Sequence, residues 1–315
     1  FAAAYISDKA PELSVLVLEG NDRVGKKLLT TGNGRCNISN ASGLEGKYHG
    51  GVDFARDVFK GFTREETLEF FKKIGIPTVE EDQGKLFPMS LQAGSVVDAL
   101  RFKAEESADI ICGGRVSAIS YDKDVIVTSD KGVFCGGNAL VACGGRAAAN
   151  TGSDGSGYEL LEAFGHRCNR SFPAIVQLIT DTKKTKALAG IKWICKVTAR
   201  AGNQKRVEKG EVLFTDYGLS GPPILQISRL ISLRGKGEIS LDLFDGTGKQ
   251  DIFGEISRRR AEFADRECME LLTGLINKRL GQTAVKSAGI SLSRKWGSLT
   301  DAEIDRITET LKNFP

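Results

Sequence analysis

Apolar and polar positions change period several times along the chain. The continuous apolar run "LSVLVLEGND" is stopped by Glu19, Gly20, Asn21 and Asp22, which predicts a short strand buried on both faces of a parallel sheet. "FAAAYISDKAPE" ahead of it has helix composition without a capping residue, so a βαβ unit is expected whose first strand lies upstream of Phe1. That strand would be central in its sheet, and its absence would expose an edge.

Helical periodicity follows. Thr63 with Glu66 forms a capping box ahead of "LEFFKKIG", which Gly75 closes, and Ser95 with Asp98 predicts a second box ahead of "VVDALRFKAEES". Between them "IPTVEEDQGKLFPMS" reads as short strands around a turn. The Phe residues along "FARDVFKGF", with Trp193 and Trp296, are expected in the core. From Ala108 to Gly145 the runs "DIIC", "RVSAIS", "DVIVTS", "GVFC" and "NALVAC" predict a β-meander. The loop "RAAANTGSDGSG" then leads into a helix, "YELLEAFG", closed by Gly165.

Beyond it "FPAIVQLIT", "WICKVTARAG", "EVLFTDYG" and "GEISLDLFDG" read as strands, with a helix at "PPILQISRLIS". From about Gly248 the pattern is helical, ending in a box at Thr300 and Glu303. These shifts divide the chain into residues 1–170, a β-rich region 171–246 and a helical region 247–315.

With 315 residues, 41% of them hydrophobic and 27% charged, the chain has the composition of a globular protein of two domains, or of one with an insert. No apolar run approaches the ~20 residues that span a bilayer, so no membrane partner is expected. Seven cysteines, none in a CxxC, write neither a disulfide framework nor a metal site, and a reducing cytoplasm fits. The net charge of +4 is mild and Lys and Arg are scattered, which gives nucleic-acid binding little support.

Five stretches carry candidate chemistry. Glu19 closes the apolar strand, where an acid accepts hydrogen bonds from ribose hydroxyls in a dinucleotide-binding unit; a solvated strand-end acid is the alternative. Gly20 to Lys27, "GNDRVGKK", comes near the phosphate-cradling GxxxxGK[ST], with "ISLDLFD" as the strand of a metal-binding acid, and a P-loop-like NTP-binding protein is one reading. Lys27, however, stands where a Mg²⁺-binding hydroxyl belongs.

In "TTGNGRCNISN", Gly32 and Gly34 let backbone approach a flat or anionic ligand, Asn33 and Asn37 offer polar side chains, and Arg35, Lys26 and Lys27 offer positive charge. A lining for phosphate and an electron-rich ring fits better than a solvent loop. Cys36 is either a thiol activated by Arg35 or a small packing residue, with neither His49 nor His166 evidently paired to it. In "LVACGG", Ala142 to Gly145 end a strand where backbone can approach a cofactor. "GSDGSG" has the wrong spacing for a second dinucleotide fingerprint. In "FTDYGLSGPP", Asp216 or Tyr217 faces a substrate, or the segment is a helix-entry turn.

The order of "GKKLLTTGNGRCNISN", "GKLFPMSLQAGSVVDAL", "LVACGG", "TGSDGSGYELLEAFGH" and "LFTDYGLSGPPILQIS" resembles a bacterial family of FAD-dependent oxidoreductases, aminoacetone oxidase-like, that includes bile-acid 4,6-reductases. The resemblance implies an α/β, glutathione-reductase-type FAD-binding domain, incomplete here, with an inserted β-rich domain and a small helical subdomain. It implies that Glu19 binds the adenosine ribose, Gly20 to Lys27 border FAD, and Gly32, Asn33, Gly34, Arg35, Cys36 and Asn37 lie along the pyrophosphate and flavin. Val116 would meet the adenine through its backbone, Ala142, Cys143, Gly144 and Gly145 would form the second strand-end contact, and Phe87 to Gln92 would approach the flavin. NAD(P)H is the implied electron donor and a small unsaturated or carbonyl compound the substrate; no residue is singled out as catalytic. Cys143 stands where the family usually has Thr and Asp216 where it often has His. The family's GxGxxG and its Gly-rich C-terminal segment are expected outside Phe1 to Pro315. The reading from a different class is a non-catalytic nucleotide- or RNA-associated binding protein.

Overall fold

The structure, a computed structural model, describes residues 1–43, 48 and 50–315, without the side chains of 183 and 184. His49, weighed as a partner for Cys36, lies outside the described residues. Two units divide the chain at Asn169 and Arg170.

The first unit runs α1 (Ala2–Lys9), β1 (Val15–Glu19), β2 (Ser39–Asn40), α2 (Val52–Gly61), α3 (Arg64–Lys73), β3 (Thr78–Glu81), β4 (Lys85–Pro88), α4 (Ala93–Glu105), β5 (Ala108–Cys112), β6 (Val116–Asp122), β7 (Asp124–Ser129), β8 (Gly132–Gly136) and α5 (Ser156–Glu162). β1 pairs in parallel with β5, from Val15 opposite Ala108 to Glu19 opposite Cys112. "DIIC" therefore leaves the predicted meander, which is β6, β7 and β8 alone.

"NALVAC", expected as a strand, forms none, and its Leu140 is 72% exposed. A strand needs a ladder partner for its N–H and C=O groups. Among the described residues no strand lies on the second edge of β1 to supply one. The same open edge corrects the burial expected of β1, where Leu16 is 40% exposed.

Thr63 and Glu66 cap α3 reciprocally, as their spacing predicts. The box at Ser95 is not formed, because α4 begins at Ala93, three residues ahead of the Val96 start that the box implies. Ala93 is buried in a cluster with Cys36, Phe71, Ile76 and Val96, and that packing draws the first half-turn into the helix. Tertiary burial outweighs the local cap here. Phe54, expected in the core, is 76% exposed on α2, whereas Phe62 packs edge-on against Tyr5 at 5.3 Å.

The second unit runs β9 (Leu178–Ile179), α6 (Thr182–Thr185), β10 (Lys192–Ala201), β11 (Gln204–Phe214), β12 (Gly218–Ser220), α7 (Pro222–Arg234), β13 (Glu238–Asp242), α8 (Lys249–Glu262), α9 (Lys278–Ser287) and α10 (Asp301–Lys312). Its sheet has the order β13-β10-β11-β12-β9, every pairing antiparallel. Alternation along β10 buries Cys195, Val197, Ala199 and Ala201 in one core with Ile224 and Ile227 of α7. That core continues without a break through Ile252 and Ile256 of α8, Leu280 of α9, Trp296, and Ile304, Ile307 and Leu311 of α10. Each fully buried Leu or Ile contributes about 1.5–3 kcal/mol relative to exposure. Among the described residues no helix is long and apolar enough to cross a membrane.

Candidate functional site

The carboxyl ends of β1 and β5 meet in the first unit, where parallel sheets commonly hold ligands. Glu19 Oε1 accepts from the backbone N–H and the side-chain Nδ2 of Asn21, both at 2.8 Å. Asn21 Nδ2 also donates to the Thr151 carbonyl at 3.3 Å. Gly113 and Gly114 N–H donate to the carbonyls of Asn21 and Glu19 at 2.7 and 2.9 Å, which draws the turn after β5 alongside. Arg115 reaches Asp154 at 2.6 Å. The Ser156 N–H and that guanidinium hold the Asp154 carboxyl well below the usual carboxylate range. Val116, the first residue of β6, follows Arg115 and sits at a register irregularity opposite Ser129.

Next comes the turn from Gly20. None of the N–H groups of Asp22 to Lys27 donates to another group among the described residues, so this turn presents a row of donors to its surroundings. Lys26 pairs with Asp22 at 3.5 Å, and Lys27 Nζ donates to the Ala147 carbonyl at 2.8 Å. A phosphate-cradling P-loop also needs an α-helix directly behind its lysine, and here a kinked 3-10 turn, Leu28–Gly34, takes that place. The acid of "ISLDLFD", Asp242, is buried between Lys196 at 3.3 Å and Lys312 at 2.7 Å. Neither half of the NTP-binding reading is built.

Backbone in the left-handed region dominates the following segment, at Gly32, Asn33, Gly34 and Cys36. A Cβ on Gly32 would stand 2.6 Å from the Asn37 nitrogen and 2.9 Å from the Phe87 ring, so close approach within the chain itself demands glycine there. Arg35 donates to both oxygens of Glu81 at 3.0 and 2.7 Å, and its guanidinium lies 4.3 Å from the Phe87 ring centroid. Its charge is thus partly answered inside the protein. With its amide turned to satisfy its neighbours, Asn37 donates to the carbonyls of Ser39 and Leu86 at 2.8 and 3.1 Å. Asn33 and Gly34 remain exposed.

Cys36 is 2% exposed, and burial pushes its thiol pKa up against the opposing hydrogen bond from Thr31. It packs with Phe71, Ile76, Ala93 and Val96, the surroundings of a small core residue. Ala142, Cys143 and Gly144 are exposed, and the Cys143 sulfur lies where a Cβ on Gly157 would be, 2.4 Å away, so the start of α5 packs tightly on this segment. A Cβ on Gly145 would meet the Tyr158 hydroxyl at 2.8 Å. From Phe87 to Gln92, Phe87 and Pro88 are buried and Met89 to Gln92 exposed.

In the second unit Tyr217 hydrogen-bonds Gln177, and Asp216 lies in a turn closed by Thr215 N–H to the Gly218 carbonyl at 2.9 Å. "FTDYGLSGPP" is thus the tight turn between β11 and β12, then β12 itself, and only its last residues, with Pro222 opening α7, form the expected helix entry. Among the described residues no three His, Cys, Asp or Glu side chains converge as metal ligands.

Sequence reasoning passed over Asn21, Glu81, Arg115 and Asp154. Asn21 had a local signal, since a strand-ending "EGND" favours an Asx turn. Arg115–Asp154 and Arg35–Glu81 join residues 39 and 46 positions apart, and no local pattern announces them.

Residues 1–294 match the family described as HI0933-like protein Rossmann domain. The chain is 36% identical over 277 residues to a 3-dehydro-bile acid delta(4,6)-reductase of Clostridium scindens, covering 85% of this chain and 68% of that protein. It is 29% identical over 222 residues to a ribosomal RNA dihydrouridine synthase of Escherichia coli, covering 68% of this chain and 54% of the relative. The corresponding protein of Haemophilus influenzae is 25% identical over 279 residues, at 85% and 67% coverage. The chain therefore belongs to the HI0933-like Rossmann-domain family, that of the FAD-dependent oxidoreductases its motif order resembles.

Proposed function

We propose that the protein is an FAD-dependent oxidoreductase that moves a hydride from NAD(P)H, by way of the flavin, to a small molecule whose C=C bond is conjugated to a carbonyl. The relatives support that substrate class. A 3-dehydro bile acid with 4,6 unsaturation, and uridine as precursor of dihydrouridine, both carry such a bond.

The observation that carries the reading is Glu19 at the carboxyl end of a parallel strand with the donor-rich turn directly behind it. Glu19 Oε2 has no hydrogen-bond partner among the described residues and can accept from ribose hydroxyls, while the N–H groups of Asp22 to Lys27 suit pyrophosphate oxygens. These residues fit FAD. Gly32 to Asn37 would line its pyrophosphate and ring, Val116 would meet the adenine, and Ala142 to Gly145 would close the second side. When bound, the flavin supplies hydride acceptance and donation. This chain's part is to bind and orient it: Asn21 holds the Glu19 carboxylate, and Arg35, fixed by Glu81 and Phe87, offers positive charge at the loop.

The test is a visible spectrum of the protein after incubation with FAD and gel filtration. A retained flavin band is expected; its absence removes the reading. Anaerobic NADPH or NADH should then bleach the band, and failure of both removes the donor assignment alone.

A further inference from the structure

Asn21 stands where segments of the first unit that are far apart in the chain meet. Its side-chain Nδ2 donates to Glu19 Oε1 at 2.8 Å and to the Thr151 carbonyl at 3.3 Å, and its own carbonyl accepts from the Gly113 N–H at 2.7 Å. The turn after β1, the turn after β5 and the loop ahead of α5 are thereby tied to one residue. Arg115 and Asp154, 2.6 Å apart, close the ring by joining the second of these segments to the third.

A carboxylate oxygen and a carbonyl have no hydrogen to give, so each demands one of the two amide hydrogens and both are used. Aspartate would set a carboxylate against these acceptors, and serine has one hydrogen for the two of them. The loop is shaped around the amide. Gly152 has φ of 96°, and a Cβ on it would stand 2.3 Å from Asn21 Nδ2. The Asn21 N–H adds a second bond to Glu19 Oε1 at 2.8 Å, so one oxygen of that carboxylate is held twice and Oε2 is left for a ligand.

We infer that Asn21 is the positioning residue for the adenosine end of the FAD site, an inference that rests on the FAD reading. It is placed to touch no reacting atom. It turns Glu19 so that Oε2 is presented to ribose hydroxyls, and it fixes, before any ligand arrives, the spacing of the two neighbouring segments against which the adenosine would lie. Order established in advance is not charged against binding.

Quenching of flavin fluorescence measures the FAD affinity of the chain and its variants. Asn21→Ala should bind FAD at least about tenfold more weakly than wild type, as expected when a hydrogen bond to a charged group is lost. Asn21→Asp should be as weak at about pH 8 and should regain affinity relative to wild type toward about pH 5, where a proton shared with Glu19 restores a donor. Of the other charged groups bordering the site, Arg115 and Asp154 answer each other, Lys26 pairs with Asp22 at 3.5 Å, and Lys27 is held by the Ala147 carbonyl. The deficit of Asn21→Ala, which has no proton to regain, should stay constant over the same range. Gly152→Ala should weaken FAD binding in wild type and do so less in the Asn21→Ala background, where the amide it strikes is gone. In the flavin-free protein, hydrogen exchange at residues 148–156 should quicken in Asn21→Ala. Wild-type affinity in Asn21→Ala, a deficit in Asn21→Asp that ignores pH, additive losses in the double variant, or unchanged exchange overturns the inference and leaves the FAD reading standing. A wild-type chain that takes up no FAD removes both.

Discussion

Arg35 and Glu81, 46 positions apart, form an ion pair in which one guanidinium nitrogen donates to both carboxylate oxygens, and the guanidinium lies over the face of Phe87. The pair ties the glycine-bearing loop to the β3–β4 hairpin. Both partners are partly exposed, which limits the ion pair itself to about 0–1 kcal/mol. Glu81→Gln should therefore lower stability only slightly in chemical denaturation. Arg35→Ala should cost more, because the stacking on Phe87 is lost as well. Equal losses in the two variants would show that the stacking contributes nothing.

Two glycines of that loop should respond unequally to alanine. Gly34 has φ of 82° but open space, with only the Leu29 carbonyl 4.0 Å from a built Cβ, so Gly34→Ala should cost about 1 kcal/mol of backbone strain. Gly32→Ala adds overlap with the Asn37 backbone and should cost about 3 kcal/mol. Urea titrations of the two variants compare them directly, and Gly32→Ala at or below the cost of Gly34→Ala refutes the packing described.

Thiol labelling at neutral pH separates buried from open cysteines. Cys135, Cys143 and Cys168 are exposed, whereas Cys36, Cys195 and Cys268 are buried, with the Cys195 thiol pushed up to about 12 by burial and the nearby Asp242 and Asp245. Peptide mass mapping after brief iodoacetamide treatment should find the first three modified and the last three intact. Early modification of Cys36 would restore the reactive-thiol reading.

Local chemistry in the sequence was most legible where the structure is also local. The boxes at Thr63 and Thr300, the β3–β4 hairpin and the proline start of α7 all involve residues within a few positions, and each stands as its pattern predicts. Long-range packing was not legible. Ala93 enters α4 because Cys36 and Phe71 await it, and "NALVAC" stays out of the sheet because no ladder partner meets it.

Acid should weaken the capped start of α10 in a defined window. Arg294 first, then the Thr300 N–H, hold the Glu303 carboxyl at about 2 against an ordinary 4.5. A depressed folded-state pKa gives stability that is present above pH 4.5 and is lost as the pH falls through the folded value, so the loss runs from about 4.5 to about 2. Glu303→Gln should melt lower than wild type at neutral pH and show a flatter decline of Tm across that window. Parallel declines in the two proteins would rule out this source.

The uninterrupted core from β10 to α10 sets how the second unit comes apart. Ile304, Ile307 and Leu311 pack into the same interior as Val197 and Ala199, so detaching the last helix uncovers the underside of the sheet. Strand and helix segments there have no separate melting points of their own, and heat should release residues 170–315 in one cooperative step.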